Sequence, residues 1–384
     1  MLFRSNLVVS PSVDAIQEFK IQKTLYPAEF GGKASALINV VTRSGGNTLR
    51  GSAVGLFRHD AFDARGYFDD RTRPVPVLRQ QQFGASLGGP LVRDRSFVFV
   101  NYEGQRLRRA LTQTFSVPSA ELRAGRFSAP LCDPTTRTSA GCSTFPGNAI
   151  PRARMSPMAL GLLARIPAPT SSAAVQNLLA SEVEENPMHQ VTARIDHRLS
   201  ASDTVFARVT VYRVRHVQPF GTSALNETLV PGFGRVVTTR SENVALSHTR
   251  TFGSRLLNEL RIGWLRAAGG QESPNAGDPF AASVGLRGVT TNPGDMGFPL
   301  VSFGGQFSPI GDPASFVSRN NTSLELYDNV VVDRGAHHWK FGGYLFRLNF
   351  NPVNPNGARG IFGFTGQWTG NADRKSTRLN SSHT

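Results

Sequence analysis

"QVTARIDHRLSASDTVFARVTVYR" (190–213) reads as two strands joined by a tight turn. In the first, Val191, Ala193, Ile195 and Leu199 fall on one side, against Gln190, Thr192, Arg194, Asp196 and Arg198, and His197 alone interrupts the apolar side. In the second, Val205, Ala207, Val209 and Val211 oppose Thr204, Arg208 and Thr210, with Phe206 on the polar side. Successive side chains of a strand point to opposite faces, so this period of two makes a sheet with one greasy and one wet face.

The alternation recurs along the chain. Phe83, Ala85 and Leu87 oppose Gln80, Gln82 and Ser86; Leu256, Leu260, Ile262 and Trp264 oppose Glu259, Arg261 and Gly263. "KFGGYLFRLNF" (340–350) aligns Tyr344, Phe346, Leu348 and Phe350 as its oily side. About nine segments show the pattern, near 47–58, 79–90, 95–106, 188–199, 203–215, 237–251, 254–267, 321–333 and 338–350. At roughly 11–15 residues they exceed the usual globular strand of about 5–6. The connections run long, short, long, short without exception. The long ones cover about 59–78, 107–187, 216–236 and 268–320, and the short ones centre on "LVRD", "ASD", "TFG" and "GAHH". Outer-membrane barrels demand this rhythm, with short periplasmic turns and long external loops, whereas a soluble sandwich has no reason to sort its loops by parity. The expected fold is all-β: an antiparallel transmembrane barrel turning its oily side to lipid and its wet side to a lumen.

Composition narrows the function. No window approaches 18 consecutive apolar residues, which excludes a helical span but not a barrel. The formal charge of +15 invites a nucleic-acid partner. However, only five of the 42 basic residues are lysine, and the arginines are scattered over strands and loops without a basic run, so no nucleic acid is expected. "LFRSNLVVSPSVD" after Met1 lacks the apolar core and cleavage pattern of a secretory signal, at odds with an exported barrel.

No catalytic constellation emerges. "GASLG" (84–88) fits the G-x-S-x-G elbow with Ser86 as nucleophile, but that elbow needs a strand-to-helix turn and Ser86 lies within a strand repeat. His337 and His338 fall in a turn, and Glu182, Glu184 and Glu185 in "SEVEEN" read as a solvated loop. No cofactor or metal site is expected. Cys132 and Cys142 are ten apart in a Pro/Thr/Ser/Gly-rich loop; in an oxidising compartment they would form a disulfide, the alternative being two free thiols.

"DAIQEFKIQ" (14–22) looks like a short helical turn feeding a strand, with Phe19 and Ile21 on one side. It is followed by "YPAEFGGKASALINVVTRSGGNTLRGSAVGLFRHDAFDAR", where Leu37 to Val41 form a nearly continuous apolar strand, the pattern of a strand covered on both faces. Here the chain resembles the TonB-dependent outer-membrane receptors, specifically the Oar-like group with a carboxypeptidase-regulatory-like domain. The likeness continues through "RQQQFGASLGGPLVRDRSFVFVNYEGQR", "FPGNAIPRARMSP", "NVALSHTRTFGSRLLNELRIGW" and "HHWKFGGYLFRLNF".

The resemblance implies a 22-strand barrel filled by an N-terminal plug, with an external ligand admitted when the TonB complex pulls the plug. Residues 1–46 would then end the plug, and 47–371 would be the first part of the barrel, about nine strands. Residues 372–384, "ADRKSTRLNSSHT", break the alternation and resemble an adaptor-derived tail. Glu29, Phe30, Gly31, Gly32, Asn39, Thr42 and Gly45 would form the plug-to-barrel motif. The whole would be an internal piece of a longer receptor whose partners are the TonB complex, outer-membrane lipid and an unidentified external ligand. The alternatives are a structural or adhesive surface barrel without uptake, a self-contained barrel of 8–10 strands, and a hydrolase built on Ser86.

Overall fold

The computed structural model describes residues 12–22, 37–65, 71–72, 74–223, 227–312, 317–355 and 357–365. Glu29, Phe30, Gly31 and Gly32 and the tail 372–384 lie outside the described residues. A 3-10 turn at Val13–Ala15 leads into β1 (Ile16–Gln22), which pairs antiparallel with β2 (Leu37–Thr42) as a hairpin. The long strands follow: β3 (Arg50–His59), β4 (Leu78–Val92), β5 (Ser96–Phe115), β6 (Leu178–Glu185), β7 (Met188–Arg198), β8 (Asp203–Gln218), β9 (Arg235–Phe252) and β10 (Leu256–Glu272). The short β11 (Leu300–Ser302) precedes β12 (Val317–Arg334) and β13 (His337–Asn349), and β14 (Pro352–Val353) and β15 (Ile361–Gly363) come last.

One sheet runs β13-β12-β10-β9-β8-β6-β5-β4-β3, with β7 pairing β5 and β8. β6 and β7 share a lane: β6 pairs with Arg108–Phe115 of β5, and β7 with Ser96–Gln105. The lane breaks at Asn186–Pro187, where proline has no N–H to give the ladder. Asn186 N still donates to Leu107 O (2.9 Å) and Arg215 N to Pro187 O (3.2 Å). The reading of Glu182, Glu184 and Glu185 as a solvated loop is therefore corrected: all three lie in β6. Arginines on the neighbouring strand make this possible, since Arg108 pairs with Glu185 (3.0 Å) and Arg109 with Glu184 (2.5 Å).

Directly opposed antiparallel residues share a face, so register sorts the side chains. Val98, Ile195, Ala207, Leu246, Ile262, Leu326 and Leu345 form one apolar row across seven lanes. On the other face Asn101, Thr192, Thr210 and Asn243 line up. Phe206 belongs to this inner face, where the Arg194 guanidinium lies 4.5 Å from its ring centroid. His197, on the outer face, bonds Ser96 Oγ through Nδ1 (2.7 Å) beside the short-turn end.

One face assignment is overturned. Tyr344, Phe346 and Leu348 oppose Tyr327, Glu325 and Ser323, so they look inward, and Trp339, Phe341 and Leu345 hold the outer face of β13. Oily residues occupy both faces of that strand, and the period alone could not choose between them. The expected cover over β2 is also missing among the described residues: Ile38 and Val41 are 56% and 45% exposed. The only strand pairing with β2 there is β1.

The hydrophobic core lies in the long connections, not between sheets. It unites Phe115, Val117, Leu162, Ile166 and Leu178 around the β5–β6 connection, Leu229, Val230 and Phe233 from β8–β9, and Phe280, Phe298, Leu300, Val301 and Ile310 from β10–β12.

Candidate functional site

The inner wall grips the N-terminal hairpin. Arg194 donates from Nη1 to Thr42 O (2.8 Å) and Thr42 Oγ1 (3.2 Å), while Nε and Nη2 hold Asp196 (2.9 and 2.7 Å). Thr42 is buried as a result. Arg43 turns back on the hairpin, its N donating to Ala15 O (2.9 Å) and its Nε to Ile16 O (3.1 Å). Gly45 then lies flat on the wall, where an added Cβ would sit 2.4 Å from Val98 O and 2.6 Å from Gly89 O. Only glycine fits that approach. Asn47 clasps the β4–β5 turn, donating from Nδ2 to Asp94 Oδ1 (2.6 Å) and accepting from Asp94 N at Oδ1 (2.8 Å). Three residues later β3 begins.

Of the plug-to-barrel motif, the structure thus brings Thr42 and Gly45 to the wall. Asn39 sits half-buried on β2, opposite Lys20. Arg194 was missed as a site residue. The signal that could have singled it out is the aromatic Phe206 on the wet side of the next strand, whose ring lies under the Arg194 guanidinium.

Toward the long loops a polar chain crosses the inner face. Glu184 is buried and bridges Arg109 (Nε, 2.9 Å) and His216 Nε2 (2.6 Å). Gln218 continues it to Arg235, whose Nη1 donates to Gln271 Oε1 (3.3 Å). Deeper in the wall Asn101 Oδ1, Gln190 Nε2 and Ser241 Oγ are buried on this face without a hydrogen-bond partner among the described residues.

Above the chain the long connections close into a cap. Helix α1 (Ala120–Arg123) carries Arg123, whose Nη1 donates to Leu163 O (3.2 Å) and Ile166 O (2.9 Å), tying down the end of helix α2 (Pro157–Arg165). Phe298 stacks on Phe280 of helix α3 (Phe280–Ser283) with centroids 4.4 Å apart and meets Phe233 edge-on at 5.5 Å. Ser308 N donates to Ser116 O (2.9 Å) and Val230 N to Pro309 O (3.1 Å), so three connections are also stitched by backbone. Asp312 is buried with Arg359 (3.4 Å) and accepts from Phe298 N (2.8 Å). Beside it, a cleft of about 320 Å³ is lined by Ala282, Leu286, Arg287, Val289, Met296 and Arg359.

Cys132 and Cys142 form a disulfide in this cap, with Cα atoms 5.7 Å apart. Next to it, the Arg154 guanidinium holds the Asp133 carboxyl well below the usual carboxylate range. Ser86 faces the lumen and shares a 2.8 Å hydrogen bond with Ser52 Oγ across β3–β4. His337 and His338 begin β13, and His338 Nδ1 lies 2.5 Å from Asp333 Oδ1.

A tall antiparallel sheet, apolar outside and polar inside, with short turns at one end and a folded cap at the other, defines an outer-membrane β-barrel. Residues 41–383 match the outer membrane beta barrel domain family, and the chain belongs to it. It is a protein of the outer membrane. Over 110 residues it is 29% identical to the TonB-dependent transporter Oar of Myxococcus xanthus, a match spanning 27% of this chain and 10% of that protein. Among solved structures it is similar to the siderophore receptor PirA of Acinetobacter baumannii, with TM-score 0.49 and 11% identity, covering 88% of this chain and 35% of that one. The outer-membrane transporter YddB of Escherichia coli gives TM-score 0.48 and 8% identity over 87% of this chain and 35% of that one.

Proposed function

We propose that this chain belongs to a TonB-dependent receptor that imports an external ligand through a plugged barrel. The observation that carries this reading is the β1–β2 hairpin seated inside the wall by Arg194 and Gly45 and continuous with β3. A segment held in the lumen and covalently joined to the first wall strand can be pulled from the short-turn side. The 29% identity to a TonB-dependent transporter agrees.

On this reading the chain is one portion of a larger barrel. Among the described residues, edges β3 and β13 run in the same direction, because the sheet has nine lanes with every neighbour antiparallel. They therefore offer each other no antiparallel closure, and lipid tolerates no open edge. An odd number of additional strands completes the wall.

The test uses the full-length protein in a Gram-negative host with Thr42→Cys as reporter. Labelling by a periplasmic thiol reagent is expected in energised cells and lost when TonB is deleted. Equal labelling with and without TonB would favour the second reading, a surface barrel that binds partners through its cap without uptake.

A further inference from the structure

The cleft beside Asp312 belongs to the cap alone. Its lining lies between Asp278 and Gly297 and adds Arg359, so no wall strand contributes to its volume of about 320 Å³. The local backbone builds it. Helix α3 ends on a left-handed Gly285 (φ 70°), where Gly285 N donates to Ala282 O (3.1 Å) and Leu286 N to Ala281 O (2.8 Å). Glycine takes this helix-ending turn without a Cβ penalty, and the turn delivers Leu286 and Arg287 to the lining. Thr290 N donates to Ala358 O (2.8 Å), and Arg359 Nε donates to Asp295 O (2.8 Å) and Met296 O (3.1 Å). These bonds fix the walls to one another.

The cleft has an apolar body and a set of donors. Ala282, Leu286, Val289 and Met296 supply the body. Arg287 lines it, is exposed, and has no ion-pair partner among the described residues. Thr290 Oγ1 accepts from Asn292 N (3.1 Å), which leaves its proton to give, and Thr291 adds a second hydroxyl to the lining. The acids nearby are already engaged. Asp278, itself in the lining, faces Arg165 (3.5 Å), and Asp312 pairs with Arg359 (3.4 Å). Asp295 accepts from Asn292 Nδ2 (2.8 Å).

Small-molecule sites span roughly 300–1,000 Å³ and combine an apolar lining with a few placed polar groups. This cleft sits at the small end of that range, the size for a single ring or a short branched chain. A guanidinium meets a carboxylate through two parallel N–H···O bonds. A phosphate would bring more oxygens and more charge than one guanidinium and two hydroxyls answer.

We infer that the cleft binds a small carboxylate with an apolar body, its acid group on Arg287 and its body against Leu286, Val289 and Met296. The inference rests on the cap's own geometry, so failure of the TonB reading would leave it standing.

The test takes the full-length protein in non-ionic detergent and follows para-fluorobenzoate by fluorine NMR line broadening, with the uncharged para-fluorobenzamide as control. The benzoate is expected to broaden and the benzamide to stay sharp. R287Q should weaken binding about tenfold, the scale of one charge-assisted hydrogen bond. A282W, which fills the cleft and keeps the arginine, should abolish it. R152Q, at an exposed cap arginine outside the lining, should leave it unchanged. If R287Q fails to give a compact unboiled band on a gel, A282W is read in its place. No broadening of the benzoate, equal broadening of the benzamide, undiminished binding in R287Q or A282W, or an equal loss in R152Q overturns the inference.

Discussion

Replacing Arg194 by alanine removes two hydrogen bonds to Thr42, a bidentate hold on Asp196 and the cation over Phe206. Hydrogen bonds to charged groups contribute about 1.5–3 kcal/mol, so Arg194→Ala should lower the urea midpoint of the full-length protein and free Thr42. Arg194→Lys should rescue little, because an ammonium lacks the fork that reaches Thr42 and Asp196 together. Gly45→Val acts at the same seat by collision with Val98 O and Gly89 O, which are backbone atoms with little room to move. It should expose residues 43–49 to protease from the short-turn side while the strands stay protected. Asp133 gives a pH-dependent counterpart in the cap. Its carboxyl is lowered chiefly by the hydrogen bond from Arg154, so its stabilising effect is complete above the unfolded value near ~3.9 and fades as pH falls below it. Proteolysis within 126–155 should therefore accelerate between pH 6 and pH 3, and Asp133→Asn should abolish that difference.

At the scale of elements, the cap stands or falls as a unit. Phe298→Ala removes a ring that touches Phe280 and Phe233 from different connections. Large-to-small changes at buried aromatics cost about 3–5 kcal/mol. Amide exchange should speed up in 219–234 as well as 273–312, with strand amides unchanged; acceleration confined to 273–312 would mean the connections are independent. The strands were legible because a wall wet on one side and oily on the other writes its period into every lane. Where that contrast weakens, legibility fails. In β6 the outward and inward positions both carry glutamate, and in β13 both carry aromatics, so charge pairing and register decided what the pattern left open. The cap was illegible for a different reason. Its core joins residues as far apart as Phe115 and Ile310, and nothing local in a loop announces which distant loop it will meet. Arg194 could be placed on the wet face but not over Thr42, a contact made across 152 residues.

For the whole molecule, lane parity makes the sharpest demand. With β3 and β13 running the same way, a second copy inserted in the same orientation brings like-directed edges together. Co-expression of this chain with the remainder of a longer parent as a separate polypeptide should restore a compact unboiled band. Expression of this chain alone should not, and a compact band from it alone would refute the account of its edges. Finally, the shared aromatic cluster beneath the outer surface has an immunological corollary. An antibody or phage raised against the intact cell would meet an epitope assembled from three excursions, so synthetic peptides copied from any single one should fail to compete for it.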